Sequence, residues 1–283
     1  TTTALLVWRK QEEFTMTMLS VGQGECTVIQ GRDIPTIMID GGSTNVSEVG
    51  KYRMIPYLKA NRLPTIDIVF ISHTDSDHMN GILEMLQSPE SGIRIRNLVL
   101  PAVGKDLRND HYEALLTAAK DAGTGVYTMR AGDVYEFSQD KGAESLSLTC
   151  LHPESEDPAG ERLTESNFQG DINDSSMVLL MSYVNLDILF TGDISSAAEA
   201  DLVKAVPDCD ILKVAHHGSK NSSCDIFLEA VSPEIMLISA GKNNSYGHPH
   251  EETLMRLEAT AADIFRTDQN GAVTVWSDGE NEV

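Results

Sequence analysis

Positive charge is scarce in this chain of 283 residues: 21 Lys and Arg stand against 43 Asp and Glu, a formal net charge of −22. A field of that sign repels phosphate polyanions, so a broad basic surface for nucleic acid is excluded, and any polyanionic substrate must be drawn to a local patch. Long apolar runs are also missing; none approaches the roughly 20 residues of a membrane span. The apolar part of the opening segment, residues 4–8, is too brief for a secretory signal. The cysteines Cys26, Cys150, Cys209 and Cys224 are scattered and never spaced as C-x-x-C. That spacing excludes a zinc ribbon and a dense disulfide framework and leaves buried thiols as the expectation. The chain opens on Thr1 rather than Met. A processed product or an excised domain is therefore expected, whose targeting or membrane segment could lie outside this sequence.

With 41% hydrophobic and 23% charged residues the chain reads as soluble and globular, long enough to bury a substantial core. Its organising stretch is Ser72-His73-Thr74-Asp75-Ser76-Asp77-His78, between the apolar run 66–71 and a predicted helix over 79–86. Two imidazoles and two carboxylates fall within six positions at a strand-to-helix corner. Side chains two apart on an extended segment share a face, so His73, Asp75 and Asp77 can converge while His78 turns in with the first helical turn. Taken singly, each residue is better read as a structural histidine or a helix cap. Together, four such groups at the end of a buried strand would repel and desolvate one another unless cations neutralised them.

Alternation predicts strands over 14–19, 26–29 and 36–39, the last ending in Asp40-Gly41-Gly42, where glycines permit close backbone approach beside a site. A helix over 53–61 follows, then the strand 66–71 with its motif. Beyond it come a strand over 95–100, a helix over 110–122, and strands over 125–137 and 145–151. His111 is expected at the surface. His152, at a strand end, is a possible replacement ligand. The segment 153–175 is acidic and lacks periodicity, which predicts a flexible flap over the site. The strand 186–190 then ends in Thr191-Gly192-Asp193, a helix spans 195–205, and the strand 210–215 delivers His216-His217-Gly218-Ser219. The order strand, acid, helix, strand, histidine thus occurs twice, and a structural repeat would gather both sets at one cleft. A third unit has a strand over 234–240, a polar loop over 241–250 containing Tyr246-Gly247-His248-Pro249, a helix over 251–259 and closing strands at 263–265 and 272–276.

The series Asp40-Gly-Gly, His73-x-Asp75-x-Asp77-His78, Thr191-Gly192-Asp193 and His216-His217-Gly218-Ser219 resembles the metallo-β-lactamase superfamily. With Val21-Gly-Gln-Gly24, Asn173-Asp174-Ser175-Ser176 and Tyr246-Gly-His-Pro249 added, the chain is most similar to the C-terminal hydrolase domain of the ComEC-type competence proteins, which carry DNA into transformable bacteria. The resemblance covers about 15–275 and implies a single α/β domain, an αββα sandwich of two mixed sheets with helices outside and a two-metal site in the cleft. It implies that His73 and Asp75 hold one ion, Asp77 and His78 the other, and that Asp193 bridges them. His217 would complete the second sphere, with His216 as its substitute, because the sequence does not say which of the pair turns inward. Asp40, His216 and His248 are placed in catalysis and Ser219 at the substrate. Asp75 stands where the superfamily more often has His, and Asn173 to Ser176 where it has a third-motif histidine. The harder donor set shifts preference from zinc toward manganese or magnesium.

Two divalent ions can activate water and stabilise a leaving oxygen in phosphodiester cleavage. The leading expectation is a metal-dependent phosphodiesterase, a DNA nuclease attached in the full protein to a membrane channel at the extracellular face of a bacterial cell; a soluble bacterial protein is the alternative. An open groove lined by Lys213, Lys220, Lys242 or Arg53 would favour it. A compact pocket would favour a small-substrate metallohydrolase, phosphorylcholine-esterase-like or acting on lactones or thioesters. A non-catalytic metal- or DNA-binding domain is the third reading. The retained cluster of ligand-type residues argues against it.

Overall fold

The strands Ile37–Ile39 and Ile68–Phe70 are buried along their whole length, as strands covered by a sheet on one face and helices on the other must be. Side chains alternate between those covers: Ile68 and Phe70 enter one apolar cluster and Val69 another. The computed structural model describes residues 14–137, 146–154 and 172–277. Within them, two seven-stranded sheets face each other. The first runs Val273–Ser277, Phe14–Met18, Thr27–Gly31, Ile37–Ile39, Ile68–Phe70, Asn97–Pro101 and Gly125–Met129. The second runs Asp263–Arg266, Ile235–Ile238, Ile211–Lys213, Leu186–Phe190, Val178–Tyr183, Leu146–His152 and Val134–Phe137.

Ile37, Phe70, Leu179, Met181 and Phe190 fill the space between the sheets, and Phe14 stacks on Tyr183 across it at 4.9 Å. The helices Ile55–Ala60, Ser76–Leu86 and Asp110–Ala122 cover the outer face of the first sheet through Leu58, Ile82 and Leu115. Ser196–Leu202, Asp225–Val231 and Glu251–Glu258 cover the second through Leu202, Phe227 and Leu257. This is the αββα sandwich with two mixed sheets. Among the described residues, no helix is long and apolar enough to cross a membrane.

Each sheet carries one parallel block, from Ile37–Ile39 to Gly125–Met129 and from Leu186–Phe190 to Asp263–Arg266. Their carboxyl ends bring Asp40, His73, Asp193 and His217 to one edge, where strand-end ligands collect in α/β sheets. The repeated strand–acid and strand–histidine order in the sequence is the imprint of these two blocks. The predicted strand 125–137 is two strands, one in each sheet, because a turn at Ala131-Gly132 carries the chain across. The strand Val178–Tyr183, buried at four of its six positions, escaped the pattern reading because it does not begin with alternation. Of the expected flap over 153–175, residues 155–171 lie outside the described ones; 172–175 form the short helical turn Ile172–Ser175.

Candidate metal centre

Ser72 and His73 follow the strand Ile68–Phe70, and the helix Ser76–Leu86 starts so soon after that Asp77 and His78 occupy its first turn. Asp75 stands at the N-cap, yet its carboxylate makes no capping bond. The corner is backed by close-packed glycine: a Cβ on Gly42 would lie 2.4 Å from the Ser76 carbonyl oxygen, and one on Gly24 2.7 Å from that of Asp77. Behind it, Asp40 is buried and accepts from the Ser72 amide at 2.7 Å, the Ser72 hydroxyl at 2.8 Å and His78 Nδ1 at 2.9 Å. With its Nδ1 proton held there, His78 turns Nε2 into the cleft.

The second sheet supplies the opposite wall. Asp193 follows the strand Leu186–Phe190, its amide 3.3 Å from Ser176 Oγ. Asp174 accepts from the amide and hydroxyl of Ser195 at 2.7 and 3.0 Å, pinning the start of the next helix. The run Asn173 to Ser176, which occupies the place expected for a third-motif histidine, thus braces the Asp193 loop. His216 and His217 both adopt left-handed backbone, at φ 50° and 54°, an uncommon state for residues with a Cβ and one that concentrates at functional sites. The twist buries His217, whose Nδ1 donates to the Ser239 carbonyl at 2.8 Å, and leaves His216 partly exposed with Nε2 3.7 Å from Asp193.

The donors converge. His78 Nε2 lies 3.2 Å from His217 Nε2 and 3.2 Å from Asp193 Oδ1; His217 Nε2 is 3.5 Å from both Asp77 Oδ2 and Asp193 Oδ2. His73 Nε2 is buried without a hydrogen-bond partner. Two overlapping donor sets result in the cleft, His73–His78–Asp193 and Asp77–His78–His217; a third group, Glu25–Asp40–His78, includes the Asp40 that already engages His78 Nδ1. Asp75 is left at the rim, its side chain 47% exposed and its Oδ2 3.9 Å from His73 Nε2.

Electrostatics state the same demand. Burial opposes charge on His78, but Asp193 and Asp40 outweigh it and hold its pKa well above the ordinary imidazole value. Burial and the charge of His78 push His73 down to about 4. Asp193 is held well below the carboxylate range by His78 and His217 against its own burial. Asp77 is also lowered, chiefly through its hydrogen bond with His217 and again against burial. Two imidazole nitrogens facing each other beside buried carboxylates call for positive charge between them, supplied by a proton on His78 or by a metal, and the nitrogen and carboxylate donors fit divalent cations. A small cavity of about 20 Å³, lined by His73, Asp75, Asn109, Tyr112 and Asn173, opens beside His73.

At the mouth, Gln23 donates from Nε2 to His248 Nδ1 at 3.4 Å and accepts from the Gly241 amide at 3.1 Å. Burial, then His217 and His216, push His248 down to about 4. One expectation is corrected and two open alternatives are decided. Ser219 is buried, its amide donates to the His216 carbonyl at 2.9 Å, and no helix starts there, so it presents no N–H to a substrate. Lys213 lines no groove: it is buried in an ion pair with Glu25. His152 donates to the Asp174 carbonyl at 2.5 Å and joins neither donor set. His111 is exposed as expected, but it also holds the Thr74 carbonyl at 2.9 Å. Ser239 and Glu25 were missed, and Ser72 and Gln23 stood in quoted motifs without a role. The glycines around Gln23 were the visible signal, and a lysine amid the apolar residues of the predicted strand 210–215 was another.

A family model for the metallo-beta-lactamase superfamily matches residues 19–242. The chain belongs to that superfamily. Among the curated relatives, ComE operon protein 3 of Bacillus subtilis is 30% identical over 275 residues, covering 90% of this chain and 32% of that protein. Recombination protein 2 of Haemophilus influenzae is 24% identical over 257 residues, covering 91% and 28%. The chain therefore spans about a third of the length of the curated relatives it matches. A solved metallo hydrolase of Ignicoccus hospitalis shares the fold at TM-score 0.54 and 12% identity, covering 93% of this chain and 99% of that one. The superfamily implies divalent metal ions, and the two donor sets are the residues available to hold them.

Proposed function

We propose that the chain is a two-metal phosphodiesterase that degrades DNA during its uptake, working at the outer face of a cell membrane as part of a longer protein with a channel. The carrying observation is the convergence of His73, Asp77, His78, Asp193 and His217 at one cleft, in a chain related along most of its length to competence proteins. His73, Asp75 and Asp193 would hold one ion, and Asp77, His78, His217 and Asp193 the other, manganese being preferred to zinc for this carboxylate-rich set. Bound there, divalent ions supply Lewis acidity and an activated water.

The protein's own groups keep those donors aimed. Asp40 and the Ser239 carbonyl hold the Nδ1 protons of His78 and His217, so both Nε2 atoms present lone pairs inward. Gln23 does the converse for His248: with Nδ1 accepting, the proton sits on Nε2. His248, neutral at pH 7 with its pKa near 4, then donates a hydrogen bond to a phosphoryl oxygen. His216, at the exposed edge beside Asp193, would bind the same phosphate.

The test is cleavage of single- and double-stranded DNA and of bis-p-nitrophenyl phosphate after metal stripping and re-addition of manganese, zinc or magnesium. Metal-dependent DNA degradation, lost in Asp77→Ala with the melting temperature of the metal-free protein little changed, is expected. Full activity in Asp77→Ala would sink the assignment. The charge of −22 favours one second reading, a small-substrate metallohydrolase; turnover of the small diester with DNA untouched would select it.

A further inference from the structure

With Lys213 sealed against Glu25 and a net charge of −22, phosphate attraction alone is a poor handle on a DNA strand. Another handle stands at the mouth of the centre. One side chain, Asn244, locks the loop 241–250: Oδ1 accepts from the amides of Tyr246 and His248 at 3.1 and 3.0 Å, and Nδ2 donates to the carbonyls of Gly241 and His248 at 2.8 and 2.5 Å. The loop thereby holds the Tyr246 ring 5.7 Å from that of His248, with 25° between their planes; His248 in turn lies 6.3 Å from His217 at 28°. Three rings, each tilted by at most 28° from the next, therefore lead from the metal donors to solvent.

Tyr246, which carries the outermost ring, is 53% exposed and adds little to the core, so its place in the fold does not explain it. Lys220 and Lys242 are exposed on the two loops that carry His217 and His248. A flat aromatic face on a fixed backbone, beside a phosphate-binding centre, matches the stacking platforms of single-strand binders, which accept any base because every base has a π-face. Fixing the loop beforehand lowers the ordering cost on binding.

We propose that Tyr246 is a base-stacking subsite, receiving the nucleobase next to the cleaved phosphate and so directing the centre to single-stranded DNA. The inference rests on the phosphodiesterase reading. Bases in a duplex already stack on one another and would have to be unstacked to reach the ring, so double strands should be attacked at frayed ends.

The test compares the manganese-loaded full chain on oligothymidylate and on an abasic chain of equal length, in wild type and in Tyr246→Phe, Tyr246→Leu and Tyr246→Ala. Stacking of about 1–3 kcal/mol per base predicts that wild type and Tyr246→Phe prefer the base-bearing strand by about 5- to 150-fold in kcat/KM. Tyr246→Leu and Tyr246→Ala should lose that preference while cleaving the abasic strand like wild type, with unchanged melting temperatures. An Ala variant that keeps the preference, or slows equally on both strands, overturns the subsite and leaves the nuclease reading standing. A wild type that hydrolyses bis-p-nitrophenyl phosphate but neither strand overturns the nuclease reading, and the subsite with it.

Discussion

Asp40 shows how much of the centre rests on a residue that need not touch a metal. Its two oxygens accept three hydrogen bonds, two from Ser72 and one from His78. An amide cannot accept on both sides, so Asp40→Asn must turn a donor toward Ser72 or toward His78 and unsettle the imidazole. Loss of such a supporting group weakens metal binding by roughly 10- to 100-fold. Titration of the stripped protein with manganese should show that loss, and an affinity equal to wild type would remove Asp40 from the orienting role. At this scale the sequence was informative about residue type and poor about direction. The crowding of His73, Asp75, Asp77 and His78 marked the centre because such crowding is costly without cations. Which of His216 and His217 turns inward depends on two left-handed backbone angles, and no side-chain pattern encodes those.

Between elements, the ion pair of Glu25 and Lys213 joins the loop after the first strand to the strand Ile211–Lys213. Burial opposes the charge on Lys213, but Glu25 and then Asp193 outweigh it and hold the ammonium above its ordinary pKa. The amide of Glu25 also donates to the Asp77 carbonyl, and its carbonyl accepts from Gly42, at 2.9 Å each. Removing one partner of a buried pair strands the other, so Glu25→Met or Lys213→Met should each cost ~3–5 kcal/mol in urea unfolding, while the double variant should recover most of it. Additive losses would mean that the two charges do not stabilise each other. Elements with a clear period were legible, among them the helix Asp110–Ala122, which the sequence bounds identically. Elements without one were not: Val178–Tyr183 opens as an uninterrupted apolar run, and the switch of sheets after Met129 turns on a local reversal whose destination lies far away in the chain.

For the molecule as a whole, an acidic surface and a buried Lys213 predict how affinity for DNA responds to salt. Proteins with six to ten phosphate contacts lose binding steeply as salt rises, with about 0.7 of a unit in the logarithmic slope per contact on single strands. A protein relying on metals and a stacked base should instead give a slope of about −2 or shallower for oligothymidylate, read by fluorescence anisotropy across a potassium chloride series. A steep slope would point to a basic groove and count against the stacking subsite. Fold class was legible through the resemblance to the metallo-β-lactamase superfamily; the repeated order of strand, acid and histidine by itself pointed to a shared cleft, and the two facing sheets supply it.

The contact between Gln23 and His248 spans 225 positions in sequence, and His217 is oriented by a carbonyl on Ser239. Long-range closures of this kind form late, after the local elements they join. During synthesis the early segment bearing His73, Asp77 and His78 therefore leaves the ribosome well before the groups that complete the centre. A centre wired in this way has no complete intermediate: its histidines are aimed only once the chain is long enough for Ser239 and His248 to fold against the early segment.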